Sequence, residues 1–78
     1  MERNIHAYIH QGEDGFFVAS CARLPVVTQG RTLDETLANL REAIALYLEG
    51  EDLDDLCLAP EPSLVVTLEV TPVAAHVA

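Results

Sequence analysis

The sequence predicts an α+β fold in the order β-β-β-α-β: a four-stranded mixed sheet with one main helix on one face. Three observations carry this. Residues 4–11 alternate apolar and polar side chains. Residues 32–49 open with a helix-capping pattern and continue as an apolar stripe. Residues 64–71 alternate again. Strict alternation is the period of a strand with one dry face, and three- and four-residue spacing is that of an amphipathic helix.

In the first strand Ile5, Ala7 and Ile9 fall on one face and His6, Tyr8 and His10 on the other. Gly12-Glu13-Asp14-Gly15 is a turn signal, with two glycines available for positive φ. Phe16 to Cys21 reads as the second strand, so residues 4–21 form a hairpin. Pro25 lacks a donor and belongs at a strand start or edge. Val26-Val27-Thr28 is a short third strand, ended by Gln29-Gly30.

Thr32-Leu33-Asp34-Glu35 fits a capping box. The Thr32 hydroxyl can accept from the Glu35 N–H, and the Glu35 carboxylate can return to the Thr32 N–H. Leu33, Leu37, Leu40, Ile44, Tyr47 and Leu48 form the stripe, and Gly50 is placed to close the helix in a left-handed cap. The helix is thus expected over about 33–49. An acidic stretch, Glu51 to Leu58, has apolar residues at three-residue spacing and reads as one helical turn stopped by Pro60 and Pro62. The last strand runs Leu64 to Thr71, ended by Pro72, with Leu64, Val66, Leu68 and Val70 on one face. It can lie parallel to the first strand through a right-handed crossover. The whole reads as one domain, residues 1–72, and a flexible tail, 73–78.

The chain has 78 residues, half of them apolar. That suits one domain of marginal stability, burying only about 60% of its unfolded surface. One helix is about 10 Å wide, whereas four strands span about 15–20 Å. The helix therefore leaves sheet surface and two strand edges uncovered, which points to a homo-oligomer, a dimer or larger, or a protein partner.

Thirteen acids face four bases, all Arg, for a net charge of -9. That argues against direct binding of nucleic-acid phosphates and against an anionic membrane surface. A basic protein partner is compatible with it, and so is solubility alone. The N-terminus carries no signal-peptide pattern and no run is long enough to span a bilayer, so a cytoplasmic location with free thiols at Cys21 and Cys57 is expected.

No catalytic, cofactor or metal motif emerges. His6 and His10 share a face but lie about 13 Å apart along a strand, too far for one zinc. His76 lies in the tail and adds little. Asp52, Asp54 and Asp55 lack the glycine and glutamate of a calcium loop and read as a solvated acidic turn. Cys21 and Cys57 read as structural thiols.

Tyr8, Gly12-Glu13-Asp14-Gly15-Phe16-Phe17-Val18-Ala19, Leu24-Pro25, Thr28-Gln29-Gly30-Arg31-Thr32-Leu33-Asp34-Glu35, Asn39-Leu40-Arg41-Glu42-Ala43-Ile44 and Tyr47-Leu48 together resemble the HicB-like antitoxin family. The Thr28-to-Glu35 run is the most specific part, and the likeness covers roughly residues 5–70. The resemblance implies a truncated ribonuclease H-like fold and a role in neutralising a small basic RNA-cleaving toxin of the HicA type. Val26 follows the Leu-Pro pair where the family often has Gly, and Thr36 stands where Ala is usual. Full-length members add a C-terminal DNA-binding domain, which is not expected here. Nuclease activity is not expected either: paired metals need clustered carboxylates, the first strand from Asn4 to His10 has none, and Glu69 is isolated.

The functional expectation is therefore an antitoxin-like protein-binding module and not an enzyme. The alternative is an orphan homo-oligomeric domain with a regulatory or structural role and no toxin partner. The candidate partner or oligomer interface is His6, Tyr8, His10 and Phe17, with Tyr8 and Phe17 as apolar anchors. Asp52, Asp54 and Asp55 are the candidate steering patch, and Thr32, Glu35 and Gly50 the structural cap.

Overall fold

In a computed structural model, which describes residues 2–70, the elements are β1 (Glu2–Gln11), β2 (Phe17–Cys21), β3 (Val27–Gly30), α1 (Leu33–Glu49) and β4 (Leu58–Leu68). The sheet order is β3-β2-β1-β4. β1 and β2 pair antiparallel, as do β2 and β3, while β4 runs parallel to β1. The α+β fold read from the sequence is the fold observed. Thr71, Pro72, the expected tail and His76 lie outside the described residues.

The core follows from alternation. Ile5, Ala7 and Ile9 are buried on the helix side of β1, next to Ala19 of β2 and beneath Leu40 and Ile44 of α1. The helix does not sit over the middle of the sheet. Its backbone comes nearest to β3 and β2. Asn39 Nδ2 donates to the Gln29 carbonyl at 2.8 Å, tying α1 to the edge strand. The expected floor on β4 is therefore only partly roofed. Leu64 and Val66 are half-buried, while Leu68 and Val70 are 39% and 66% exposed. A helix about 10 Å wide, offset toward β3, cannot reach the far edge.

The helix start is built as its sequence dictates. The Glu35 N–H donates to Thr32 Oγ1 at 3.0 Å, and Thr32 has extended backbone angles. The return arm differs by one residue: Glu35 Oε1 accepts from the Arg31 N–H at 3.0 Å instead of from Thr32. At the other end Gly50 is the cap residue but is not left-handed, with φ −97 and ψ 6. Those angles suit the third position of a tight turn, and the Glu51 N–H closes that turn onto the Leu48 carbonyl at 3.1 Å.

Three further expectations are corrected. In the hairpin turn only Gly15 takes a positive φ, 86; Gly12 holds the turn by donating to the Phe16 carbonyl at 2.8 Å. β3 extends through Gln29 and Gly30, because Gly30 pairs with Phe17 and Gln29 with Val18. The acidic stretch makes the single helical turn expected of it, the Leu56 N–H donating to the Asp52 carbonyl at 3.3 Å, and leaves that turn through Cys57 at φ 58. β4 begins at Leu58, before Pro60 and Pro62. Leu58 pairs with Glu2 and Ser63 with Asn4, so β4 advances five residues while β1 advances two. The prolines fall inside this irregularity, on an edge strand, where a missing N–H breaks no ladder.

Candidate protein-interaction surface

The face of the sheet away from α1 is built by the same alternation that builds the core. Opposite Ile5, Ala7 and Ile9, β1 presents His6, Tyr8 and His10. Register then sets Val65 beside His6, Ser20 and Thr67 beside Tyr8, Val27 beside Ser20, and Val18 beside His10. Val27, Val65 and Tyr8 are 71%, 40% and 39% exposed. The result is a mixed strip crossing the sheet from one edge strand to the other, in which exposed Val27, Tyr8 and Val65 are separated by Ser20 and Thr67, with histidines above and below its centre.

Tyr8 is fixed in place. Its hydroxyl donates to Glu69 Oε2 at 2.6 Å, and its ring lies 5.9 Å from that of His10 at an interplanar angle of 31°. The bond to the Glu69 carboxylate, then partial burial and the carboxylate's charge, push the Tyr8 phenol above its ordinary value. Glu69, which looked isolated in the sequence, is thus the partner that orients the central aromatic of this face. His10 Nδ1 is buried without a hydrogen-bond partner among the described residues.

Phe17 does not belong to this surface. It pairs with Gln11 and Gly30, on the helix side, and packs half-buried against the core. Phe16 precedes it, under the Arg31 guanidinium at 5.7 Å. Which aromatic of an adjacent pair faces the core depends on hairpin register, and a one-residue slip exchanges the faces.

The acidic patch lies near the start of β1. Asp52 Oδ1 accepts from the Asp54 N–H at 2.9 Å, and the Leu58 N–H donates to the Leu53 carbonyl at 2.9 Å. The Glu2 N–H ties β1 to the Cys57 carbonyl at 2.8 Å. Asp52 is therefore a turn-forming residue as well as a charge, whereas Asp54 and Asp55 simply face solvent. Among the described residues the sole ion pair is Arg23 with Glu2, at 3.7 Å, so these aspartates have no cation beside them.

The two thiols differ in exposure. Both are free; Cys21 is half-buried and Cys57 exposed. Burial raises the Cys21 pKa, the opposite of what a nucleophile needs. Among the described residues no three His, Cys, Asp or Glu side chains gather within reach of one metal ion, and no helix is long and apolar enough to cross a membrane.

A UPF0150 protein of Helicobacter pylori is 34% identical to this chain over 67 residues, covering 85% of this chain and 93% of its own length. The chain belongs to the UPF0150 family. A UPF0150 protein of Synechocystis sp. is 33% identical over 54 residues, 68% of this chain and 78% of that protein. A third UPF0150 protein, from Thermoplasma acidophilum, is 45% identical over 43 residues, 54% of this chain and 62% of its own length. No family model and no solved structure matches the chain. Within UPF0150, then, this chain offers two surfaces: a mixed strip with exposed Val27, Tyr8 and Val65 on the open sheet face and an acidic turn beside the start of β1.

Proposed function

We propose that this UPF0150 chain is an antitoxin-like protein-binding module that neutralises a small basic RNA-cleaving protein and catalyses nothing itself. The observation that carries the reading is the acidic turn. Leu53 and Leu56 pack against the core while Asp54 and Asp55 stand exposed, so negative charge is held at a fixed place on a chain of net charge -9. Fixed charge of one sign steers a partner of the other and sets the salt dependence of its on-rate. The resemblance of the Thr28-to-Glu35 run to HicB-like antitoxins gives the partner's class.

The test is co-expression and pull-down with the product of a neighbouring basic reading frame. A complex that relieves growth inhibition by that product supports the reading, and failure of both ends it for that pair. In a complex that forms, changing Asp52, Asp54 and Asp55 to Asn should slow association at low salt and leave dissociation little changed. Asn at 52 still accepts the turn's hydrogen bond, so the fold is spared.

The open sheet face favours a second reading. The exposed apolar side chains of Tyr8, Val27 and Val65 suit self-association, and an orphan homo-oligomer without a toxin would need only this surface. An assembled module that also binds a basic protein would use both surfaces.

A further inference from the structure

Beside the acidic turn lies a cavity of about 200 Å³. Ile5, Leu24 and Leu58, all buried, wall it with half-buried Leu56. Glu2 and Arg23 also line it and pair with each other, their side chains 46% and 75% exposed, so they stand at its mouth. Its size decides what it can take. Pockets for small organic ligands run about 300–1,000 Å³, and this one is smaller. It is the size of one bulky side chain. Protein interfaces concentrate their energy in such single anchors seated in desolvated pockets.

The surroundings select the anchor's neighbours. The turn that supplies Leu56 carries exposed Asp54 and Asp55, and Glu51 and Asp52 come just before. Arg23 is the base at the mouth, and Glu2 engages it. Among the described residues the acids of the turn have no base paired with them.

We propose that this cavity seats one leucine- or phenylalanine-sized side chain of a basic protein partner, whose flanking lysines or arginines face Asp54 and Asp55. The proposal rests on the reading above that the partner is a basic protein, and it names where that partner docks. The mixed strip of the open sheet face is left to a second copy of the chain.

Synthetic heptapeptides test it without knowledge of the natural partner. Each carries Leu, Phe or Ala at its centre between lysines, and a control has Leu between glutamates. Binding is followed by amide chemical shifts on the full chain. The Leu and Phe peptides should bind roughly 10-fold or more tighter than the Ala peptide, the ratio expected for burying one such side chain. Shifts should centre on Ile5, Ala22, Leu24 and Leu58. Ala22 is exposed and lines the cavity, so Ala22→Trp should close the mouth and abolish the preference for Leu over Ala. The shift map is read on the unmodified chain and stands even where that variant fails to fold. Equal binding of the Leu and Ala peptides overturns the cavity but leaves a basic partner in place. Equal binding of the lysine- and glutamate-flanked Leu peptides, shifts centred on Tyr8 and Val65, or no binding by any peptide also overturns the proposal. The co-expression experiment judges the basic-partner reading separately.

Discussion

A side-chain carbon on Gly30 would stand 2.6 Å from Thr36 Oγ1 and 2.7 Å from the Thr36 nitrogen. The last residue of β3 and the first turn of α1 therefore meet backbone against side chain and backbone, with no room for a methyl group. Thr36 is fully buried at this contact. Its hydroxyl donates to the Thr32 carbonyl at 2.7 Å, which satisfies the one buried polar side chain the contact creates. The polar residue in an otherwise apolar stripe is thus part of the seam that positions the helix over the β3 side of the sheet.

Gly30→Ala should therefore cost about 1–3 kcal/mol, the usual range for overpacking a tight site. Gly50→Ala is the contrast. Nothing lies within 4 Å of a Cβ there, and its φ of −97 suits any residue. It should gain about 0.4–1 kcal/mol by restricting the unfolded chain. Urea midpoints of both variants check the pair, and a neutral Gly30→Ala would mean the helix and β3 sit farther apart than described.

The cap gives the second expectation. Thr32 is exposed, so its replacement disturbs little besides the bond to the Glu35 N–H. Thr32→Ala should lower stability by about 1 kcal/mol, read as a lower urea midpoint with unchanged slope. Thr32→Ser should keep most of it.

These two ends of α1 show what the sequence makes legible. Thr32 and Glu35 are visible because capping is local chemistry, settled within four residues. The β1 alternation is visible for the same reason, and it placed His6, Tyr8 and His10 on the open face. Phe17 turns to the helix side, against expectation, because its side is set by hairpin register, which the composition of the Gly12–Gly15 turn does not fix. Val27 escaped notice as part of the strip because Val26-Val27-Thr28 is too short to show a period. The early start of β4 is hidden by Pro60 and Pro62, which read as breaks unless the strand is known to be an irregular edge. Gly30 shows no pattern of its own, since close approach to Thr36 is a tertiary fact.

The thiols should separate by reactivity. Cys57 is exposed, whereas Cys21 is half-buried and burial raises its pKa. A thiol reagent at neutral pH should label the chain in two phases, with Cys57→Ser removing the fast one. Loss of the slow phase instead would reverse the assignment.

Alkaline pH gives a fourth expectation, and its sign is fixed. Tyr8 and Cys21 both hold their protons more tightly in the folded chain than at their ordinary values of 10.0 and 9.0. Stability from each is full below the unfolded value and falls as pH rises through the folded one. The melting temperature should decline above about pH 9, because the unfolded thiol loses its proton first. Tyr8→Phe should flatten the part of the decline above about pH 10, since it removes both the phenol and its bond to Glu69. An unchanged profile in that variant would show that the Tyr8–Glu69 bond does not persist in solution.

Assembly is the last expectation, and the two uncovered regions of the sheet can be told apart. Val65, on the open face, and Leu68, on the helix side of β4, are 40% and 39% exposed, nearly the same. They lie on opposite faces of one edge strand, so a charge at either carries a similar cost to the isolated subunit. If the open-face strip of Tyr8, Val27 and Val65 joins two copies, Val65→Asp should give a monomer while Leu68→Asp keeps the assembled mass. If the unroofed side of β4 is the joint, the outcomes exchange, because Leu68 is left exposed for a neighbour. Light scattering of the chain and both variants at micromolar concentration separates these results. A monomer mass for the unchanged chain would remove self-association altogether. The mixed strip would then be left for a different protein.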